Sequence, residues 1–404
     1  MNRRVILIGG IGAGLAGLAG LLPMRPDEAP RRMARRGKVG DIGGAAVPAT
    51  VVNLADYGGM PGAGRPLLVD AFAQALAALS KAGGGTLFVP AGLYDFGDVD
   101  EASDIILCRN VRNIAISAYG ATFTAATRAK VVPNMFYFFN FNNITIAGAS
   151  FVDTGFDPWV NWKGMYCVGL QADEMSSGFR MVDCYAERVV GLLASNNNAA
   201  GRMHLSDLSV EGEVRNTYYG VGANFVRDQV KVDLVCHNVR RAFIAYALKD
   251  AKILVKAHST SDWPGSNGLI ALVSGGASMG NVERVRVVVD ASGAGIHGSY
   301  VHFYHQGTEA AGSMRDIDAT VNLINVNAAQ NMFVFDHETE GVQAKTSRVW
   351  DRISLHGTVT GKFEGRVVSN ASVTTSPGAV YLDANLASVG KRAVLAPVFH
   401  VRAP

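Results

Sequence analysis

Thr86-Leu87-Phe88-Val89-Pro90-Ala91-Gly92-Leu93-Tyr94 reads as strand, turn, strand, because aromatic and branched residues flank a Pro-Ala-Gly break. Upstream, Val51-Val52-Asn53-Leu54 is another short strand, followed by Asp56-Tyr57-Gly58-Gly59. Between the two strands Leu67, Leu68, Phe72, Leu76 and Leu79 form an apolar stripe at helical spacing. Gly83-Gly84-Gly85 ends that helix, where positive φ is easiest for glycine. The open end of a solenoid exposes core and unpaired strand edges, and a helix near 66–82 ahead of the first coil would cover both.

Beyond Tyr94 one unit recurs, a turn residue followed by alternating apolar positions. It appears as Asn113-Ile114-Ala115-Ile116, Asn143-Ile144-Thr145-Ile146, Asp228-Gln229-Val230-Lys231-Val232, Asp250-Ala251-Lys252-Ile253, Asp316-Ile317-Asp318-Ala319 and Asp351-Arg352-Ile353-Ser354-Leu355. Asp228 to Asp250 is 22 residues, about one coil, and the longer intervals imply loops inserted into coils. A second strand follows these units, as in Val190-Gly191-Leu192-Leu193, Tyr219-Gly220-Val221, Phe243-Ile244-Ala245, Leu269-Ile270-Ala271-Leu272, Val301-His302-Phe303 and Met332-Phe333-Val334-Phe335. No coil buries its apolar face alone, but stacked coils do. The expected fold is an all-β, right-handed, single-stranded parallel β-helix over 50–404, with residues 1–49 outside it. A β-sandwich would need frequent hairpin turns, and those are sparse. The Asn and Asp at the unit starts are read as turn residues that satisfy backbone groups, not as ligands.

Asp56-Tyr57-Gly58, the helix, Gly83-Gly84-Gly85-Thr86 and Val89-Pro90-Ala91-Gly92-Leu93-Tyr94 together resemble the N-terminal segment of the pectate lyase superfamily, the rhamnogalacturonase and epimerase-like β-helices. The resemblance covers about 45 residues of the chain; beyond Tyr94 only the coil rhythm continues it. It implies the pectin-lyase-like fold and a polysaccharide or oligosaccharide partner. It does not choose among lyase, hydrolase, epimerase and non-catalytic members. The acidic stretch usual in that family before the helix is replaced here by Met60-Pro61-Gly62-Ala63-Gly64-Arg65-Pro66, so nothing tied to that loop is carried over.

The N-terminus reads as an address. Arg3-Arg4 precedes Val5 to Leu22, an uncharged run. This is the pattern of an export signal, with a twin-arginine flavour, and it implies a periplasmic or extracellular protein. An uncleaved membrane anchor through residues 5–22 is the alternative. Gly12-Ala13-Gly14-Leu15-Ala16-Gly17 matches the dinucleotide-binding spacing, but a Pro- and Arg-rich stretch follows where a βαβ unit is required. The net charge of +3 owes much to Arg31, Arg32, Arg35, Arg36 and Lys38 in this linker, which argues against nucleic acid as a partner. Cys108, Cys167, Cys184 and Cys236 fit no zinc spacing. Buried free thiols are expected, with a Cys167–Cys184 disulfide as the alternative. No cofactor is evident, no acidic loop supports Ca²⁺, and the sequence carries no signal for an oligomeric state.

No Asn-Thr-Asp, Gly-His-Gly, HExxH or Walker pattern is present, so chemistry is sought among side chains gathered by stacking. Aligned on their leading turn residues, the second strands put Tyr300, His302 and Tyr304 on one face. Asp336 and Asn196 then share the column of Tyr304. Neighbouring coils lie about 4.8 Å apart, so His302, Tyr304 and Asp336 can converge. The insertion Asp153-Thr154-Gly155-Phe156-Asp157-Pro158-Trp159-Val160-Asn161-Trp162-Lys163-Gly164-Met165-Tyr166 holds a second set. Its Asp153, Asp157, Trp159, Trp162, Lys163 and Tyr166 suit a sugar-binding loop. The blander reading is a packed Ω-type loop. Elimination beside a uronate carboxyl needs a base, an acid and a positive group. His302, Tyr304 and Arg240 or Arg241 would serve. Hydrolysis needs paired carboxylates, for which Asp153 with Asp157, or Asp336 with Glu338, are the candidates. Elimination is slightly preferred; the reading from another class is a non-catalytic polysaccharide-binding or surface scaffold protein.

Overall fold

A computed structural model describes residues 50–100, 104–128, 132–157, 163–195, 204–258, 268–275, 280–294, 299–306, 312–327, 331–337, 349–361, 363–369, 380–389 and 399–402. Residues 1–49, Trp159, Trp162, Asn196 and Glu338 lie outside these residues.

Every strand pairing among them is parallel and joins a segment to the next coil. On the first wall the register runs Val51, Thr86, Ala115, Thr145, Arg180, Ser209, Lys231, Lys252, Arg286, Asp318, Ser354, Tyr381, His400. A second wall carries Glu187, Arg215, His237, His258 and Ser292 in one column. The third wall runs Leu107, Tyr137, Gly169, Ala194, Gly222, Ile244, Ala271, His302, Val334, Ser369. Crossovers between parallel strands of one sheet turn right-handed, and the result is a right-handed parallel β-helix. Lys231 pairs with Lys252, 21 residues on, whereas Asp318 pairs with Ser354, 36 residues on; the longer coils carry the insertions.

Corners are made by left-handed residues. Asn113, Asn143, Asp207, Gln229, Asp250, Arg284, Asp316 and Arg352 all have φ near +50 to +61° at the entrance to the first wall. The turn role read for Asn113, Asn143, Asp250 and Asp316 is seen directly. In two units the strained residue is one position later than expected, Gln229 and Arg352 instead of Asp228 and Asp351. Asn143 Nδ2 donates to Asn113 Oδ1 at 3.0 Å. Further along, Arg284 grips Asp250 through Nε and Nη2 at 2.6 and 2.8 Å.

The capping helix α1 spans Arg65–Lys81. It buries Leu68, Phe72, Ala75, Leu76 and Leu79 against the first coils. Leu67, which the spacing assigns to the stripe, stays 62% exposed, because it lies in the first turn, one residue and about 100° from the buried Leu68, and falls off the buried face. Phe72 begins an aromatic stack through Phe123, Phe136 and Phe138. All four cysteines are buried and unpaired, and burial pushes the Cys184 thiol up to about 12. Among the described residues no helix is long and apolar enough to cross a membrane.

Candidate functional site

Period-2 alternation sends Val301, Phe303, Phe333 and Phe335 of the third wall into the core. Phe303 stacks on Phe335 with centroids 4.6 Å apart. The intervening His302, Tyr304 and Asp336 therefore face outward. Tyr304 and Asp336 are direct register partners. His302 Nε2 lies 3.7 Å from Asp336 Oδ2, an ion-pair separation too long for a hydrogen bond. The His302 and Tyr304 rings have centroids 5.5 Å apart. His302 is only 6% exposed and its Nε2 is buried with no hydrogen-bond partner, whereas the Asp336 side chain is 39% exposed. The carboxylate thus forms the outer lip and the imidazole stands behind it.

Tyr300 departs from this face. It is 1% exposed and belongs to the core, because it sits at the corner before the wall, where the outward position of a straight strand turns inward. Burial pushes its phenol up. His305, on the inward parity, bonds Ser274 Oγ through Nδ1 and stacks on Trp350 at 4.9 Å.

The 153–166 insertion divides. Asp153 is fully buried, so it does not bind substrate. Its carboxylate accepts from Thr127 N, Gly155 N and Met165 N, each at 3.0 Å, and from Thr127 Oγ1. It pins both ends of the loop to the preceding coil. Asp157 is exposed and Lys163 half-buried. Trp159 and Trp162 lie outside the described residues, as does Asn196.

Tyr166 instead opens a third-wall strand, at its edge. Its register partner is Gly191, where an added Cβ would lie 2.7 Å from Tyr166 Cε1 and 3.3 Å from Tyr219 Cβ. The Tyr166 ring therefore lies across the next coil, beside Tyr219. Burial and the neighbouring Tyr219 push the Tyr166 phenol far up. Tyr219 pairs with Arg241, whose guanidinium stands 5.9 Å from the Tyr219 ring centroid. One position earlier, Arg240 lies 4.2 Å over Tyr218. Burial, aided by Arg241, lowers Arg240 to about 10. Arg241 Nε donates to Gly268 O at 3.3 Å, and a Cβ on Gly268 would meet His302 Cβ at 2.7 Å. Arg241 and His302 thus both abut Gly268, and the edge strip leads to the His302 group. Tyr218 and Tyr219 escape the sequence reading of the site. The signal for them exists, since each stands 22 residues before Arg240 or Arg241, the coil spacing already seen between Asp228 and Asp250.

No group of three or more His, Cys, Asp or Glu side chains is arranged to hold a metal among the described residues.

No protein-family model matches the chain, and comparison with curated proteins finds no match. Solved structures share its coiled architecture. The A-module of a mannuronan C-5 epimerase from Azotobacter vinelandii is 13% identical, with 87% of this chain and 99% of that chain covered at a TM-score of 0.42. An exopolygalacturonase from Thermotoga maritima is 12% identical, covering 89% and 91% at 0.40. A surface protein and adhesin of Streptococcus pneumoniae is 12% identical, covering 88% and 98% at 0.39. Likeness of this degree concerns the backbone path and says nothing of chemistry.

Proposed function

We propose that this is an exported polysaccharide lyase that cleaves a uronate-containing polymer on the third wall. The observation that carries the reading is the outward convergence of His302, Tyr304 and Asp336, with Arg241 abutting the same glycine as His302. In the reaction His302 takes the proton beside the uronate carboxyl. The electrons of that C–H bond form a carbon–carbon double bond as the glycosidic C–O bond breaks. Tyr304 returns a proton to the leaving oxygen, and the Asp336 carboxylate, 3.7 Å from His302 Nε2, favours the imidazolium that forms. Arg241 neutralises the carboxylate as charge develops on it, using guanidinium donors beyond Nε. Hydrolysis by Asp153 with Asp157 is less well supported, because Asp153 spends its carboxylate on four structural donors; in the other candidate pair, Asp336 with Glu338, Glu338 lies outside the described residues. The non-catalytic alternative, a polysaccharide-binding or surface scaffold protein, has one observation in its favour, the 6% exposure of His302. Export rests on the uncharged run after Arg3-Arg4.

The test is a screen of uronate and neutral polysaccharides with product analysis. An unsaturated, ultraviolet-absorbing uronate end is the expected product. His302→Ala is expected to lower the rate about a hundredfold to ten-thousandfold, the usual worth of a general base. Asp336→Asn should change the pH profile of the rate as well as its size. Saturated reducing ends would mark hydrolysis, and binding of a polymer without cleavage would favour the scaffold.

A further inference from the structure

We infer that the first wall carries a second catalytic centre, in which His356 is the general base for hydrolysis of a short O-acyl ester of a polyhydroxylated alcohol. It lies on a different wall from His302 and does not depend on the lyase reading. Three successive coils build it. Asp318 and Thr320 stand on one, Ser354 and His356 on the next, Tyr381 and Asp383 on the third. Ala319, Leu355 and Leu382, which lie between the members of each pair, are buried, so period-2 alternation turns all six outward. Register pairs Asp318 with Ser354 and Thr320 with His356. These four residues mark a rectangle of about 4.8 Å by about 7 Å. Asp318 and His356 occupy one diagonal, and two hydroxyls occupy the other.

The His356 ring is held at one nitrogen and open at the other. Nδ1 lies 2.8 Å from Asp383 Oδ2. A carboxylate only accepts, so in the neutral ring Nδ1 carries the proton and Nε2 keeps its lone pair. Nε2 is 3.8 Å from Asp318 Oδ1, too far for a direct hydrogen bond and close enough for one water to reach both. The side chains of His356, Asp318 and Asp383 are 31%, 54% and 35% exposed, so solvent and substrate have access. The other charged residues in register here are Arg286, the partner of Asp318 on the preceding coil, and Arg402, the partner of Asp383 on the following one.

The arrangement selects the reaction. Each ring nitrogen faces a carboxylate directly, and the three groups do not converge on a metal position. His356 fills the space between the two carboxylates, so no glycosidic bond can lie between them as hydrolysis by a carboxylate pair requires. Two carboxylates disfavour phosphate and sulfate esters by repulsion and accept hydrogen bonds from the hydroxyls of a neutral substrate. An imidazole base with hydroxyl donors beside it suits attack by water on an acyl carbon. The water points one hydrogen at Asp318 and the other at Nε2. As Nε2 takes that proton, the water oxygen bonds to the acyl carbon and the carbonyl electron pair moves onto its oxygen, where the Thr320 and Ser354 hydroxyls stabilise it. The pair then returns, the bond from acyl carbon to alcohol oxygen breaks, and His356 gives its proton to the departing oxygen. Ester and water become acid and alcohol, with no other reactant. The site is open on a flat wall and offers no tunnel for a long chain, so the acyl group is short.

The experiment uses the full chain with para-nitrophenyl acetate, para-nitrophenyl dodecanoate and glucose pentaacetate, following nitrophenol and free acid. Saturable hydrolysis of both acetates is expected, with the dodecanoate slower. His356→Gln can keep the bond to Asp383, yet should lower kcat/KM about a hundredfold to ten-thousandfold, the usual worth of a general base. Asp318→Asn should lower kcat. Asp383 acts through His356 and is a positioning residue. Asp383→Asn removes a charge that favours the imidazolium, so the acid limb of the kcat/KM profile should move to lower pH while the rate falls. A rate no faster than that of equimolar free imidazole, a His356→Gln variant as active as its parent, or an unmoved acid limb in Asp383→Asn would overturn the centre. Unsaturated polymer ends are scored separately, so failure of either activity leaves the other standing.

Discussion

The imidazole of His237 lies 3.3 Å from Glu213 and stacks on His258 at 5.2 Å. Burial holds it below the ordinary histidine range, Arg215 and His258 push the same way, and Glu213 opposes them. A histidine depressed in the folded state binds fewer protons than its unfolded counterpart at mildly acid pH. Stability from this group is therefore complete above the unfolded value of about 6.5 and is lost as pH falls through it toward the folded value. Urea unfolding between neutral and mildly acid pH should show a loss of stability that His237→Asn flattens. A variant with the same pH slope as the parent would remove the argument. At this scale the sequence is readable wherever parity holds. His302 and Asp336 alternate with Val301, Phe303 and Phe335, and their outward direction follows. Asp153 was readable by the same rule, since it shares the parity of the core residue Phe151, but its company of Asp157 and two tryptophans pointed to a sugar loop. Tyr300 was not readable, because parity stops at a corner and the corner leaves no mark in the sequence there.

At the scale of the turn, identical corners stacked coil on coil let one strained residue bond the next. Asn216 and Asn238 both have positive φ, at +49° and +55°, and Asn238 Nδ2 donates to Asn216 Oδ1 at 2.7 Å. A left-handed conformation costs a residue with a Cβ about 1–2 kcal/mol, which asparagine tolerates best among non-glycine residues because its side chain bonds locally. Asn238→Gly should lose the ladder bond, about 1 kcal/mol, and regain some of the strain. Asn238→Ala should lose the bond and keep the strain, so it should be the less stable of the two by roughly 1 kcal/mol. Chemical denaturation of both variants checks the order, and an alanine variant at least as stable as the glycine one would contradict it. Asn and Asp at such corners are legible from the sequence because they are common turn residues. Arg284 and Arg352 are not, because arginine has no preference for positive φ. Their conformation is held by Asp250 and Asp316 one coil away, a partnership visible only once the coils are stacked.

Over the whole molecule, stability is a sum of neighbouring coils, and the site stands far from the cap along that sum. Phe72 of α1 touches Phe123 and Phe136, with centroids 6.1 and 5.5 Å away. From Tyr137, next to Phe136, six register steps lead to His302, about 29 Å at ~4.8 Å per step. Phe72→Ala removes a fully buried ring and should cost about 3–5 kcal/mol. In a globular core that loss would be shared, but in a solenoid each coil feels only its neighbours. The damage should therefore be confined to the first coils. Hydrogen exchange is expected to quicken through 51–151 while the wall from Tyr219 to Asp336 keeps its protection, and polymer binding at the third wall should persist. Protection lost evenly from the cap to Asp336 would mean that the coils open as one cooperative unit, and the separation of cap stability from site geometry would fail with it.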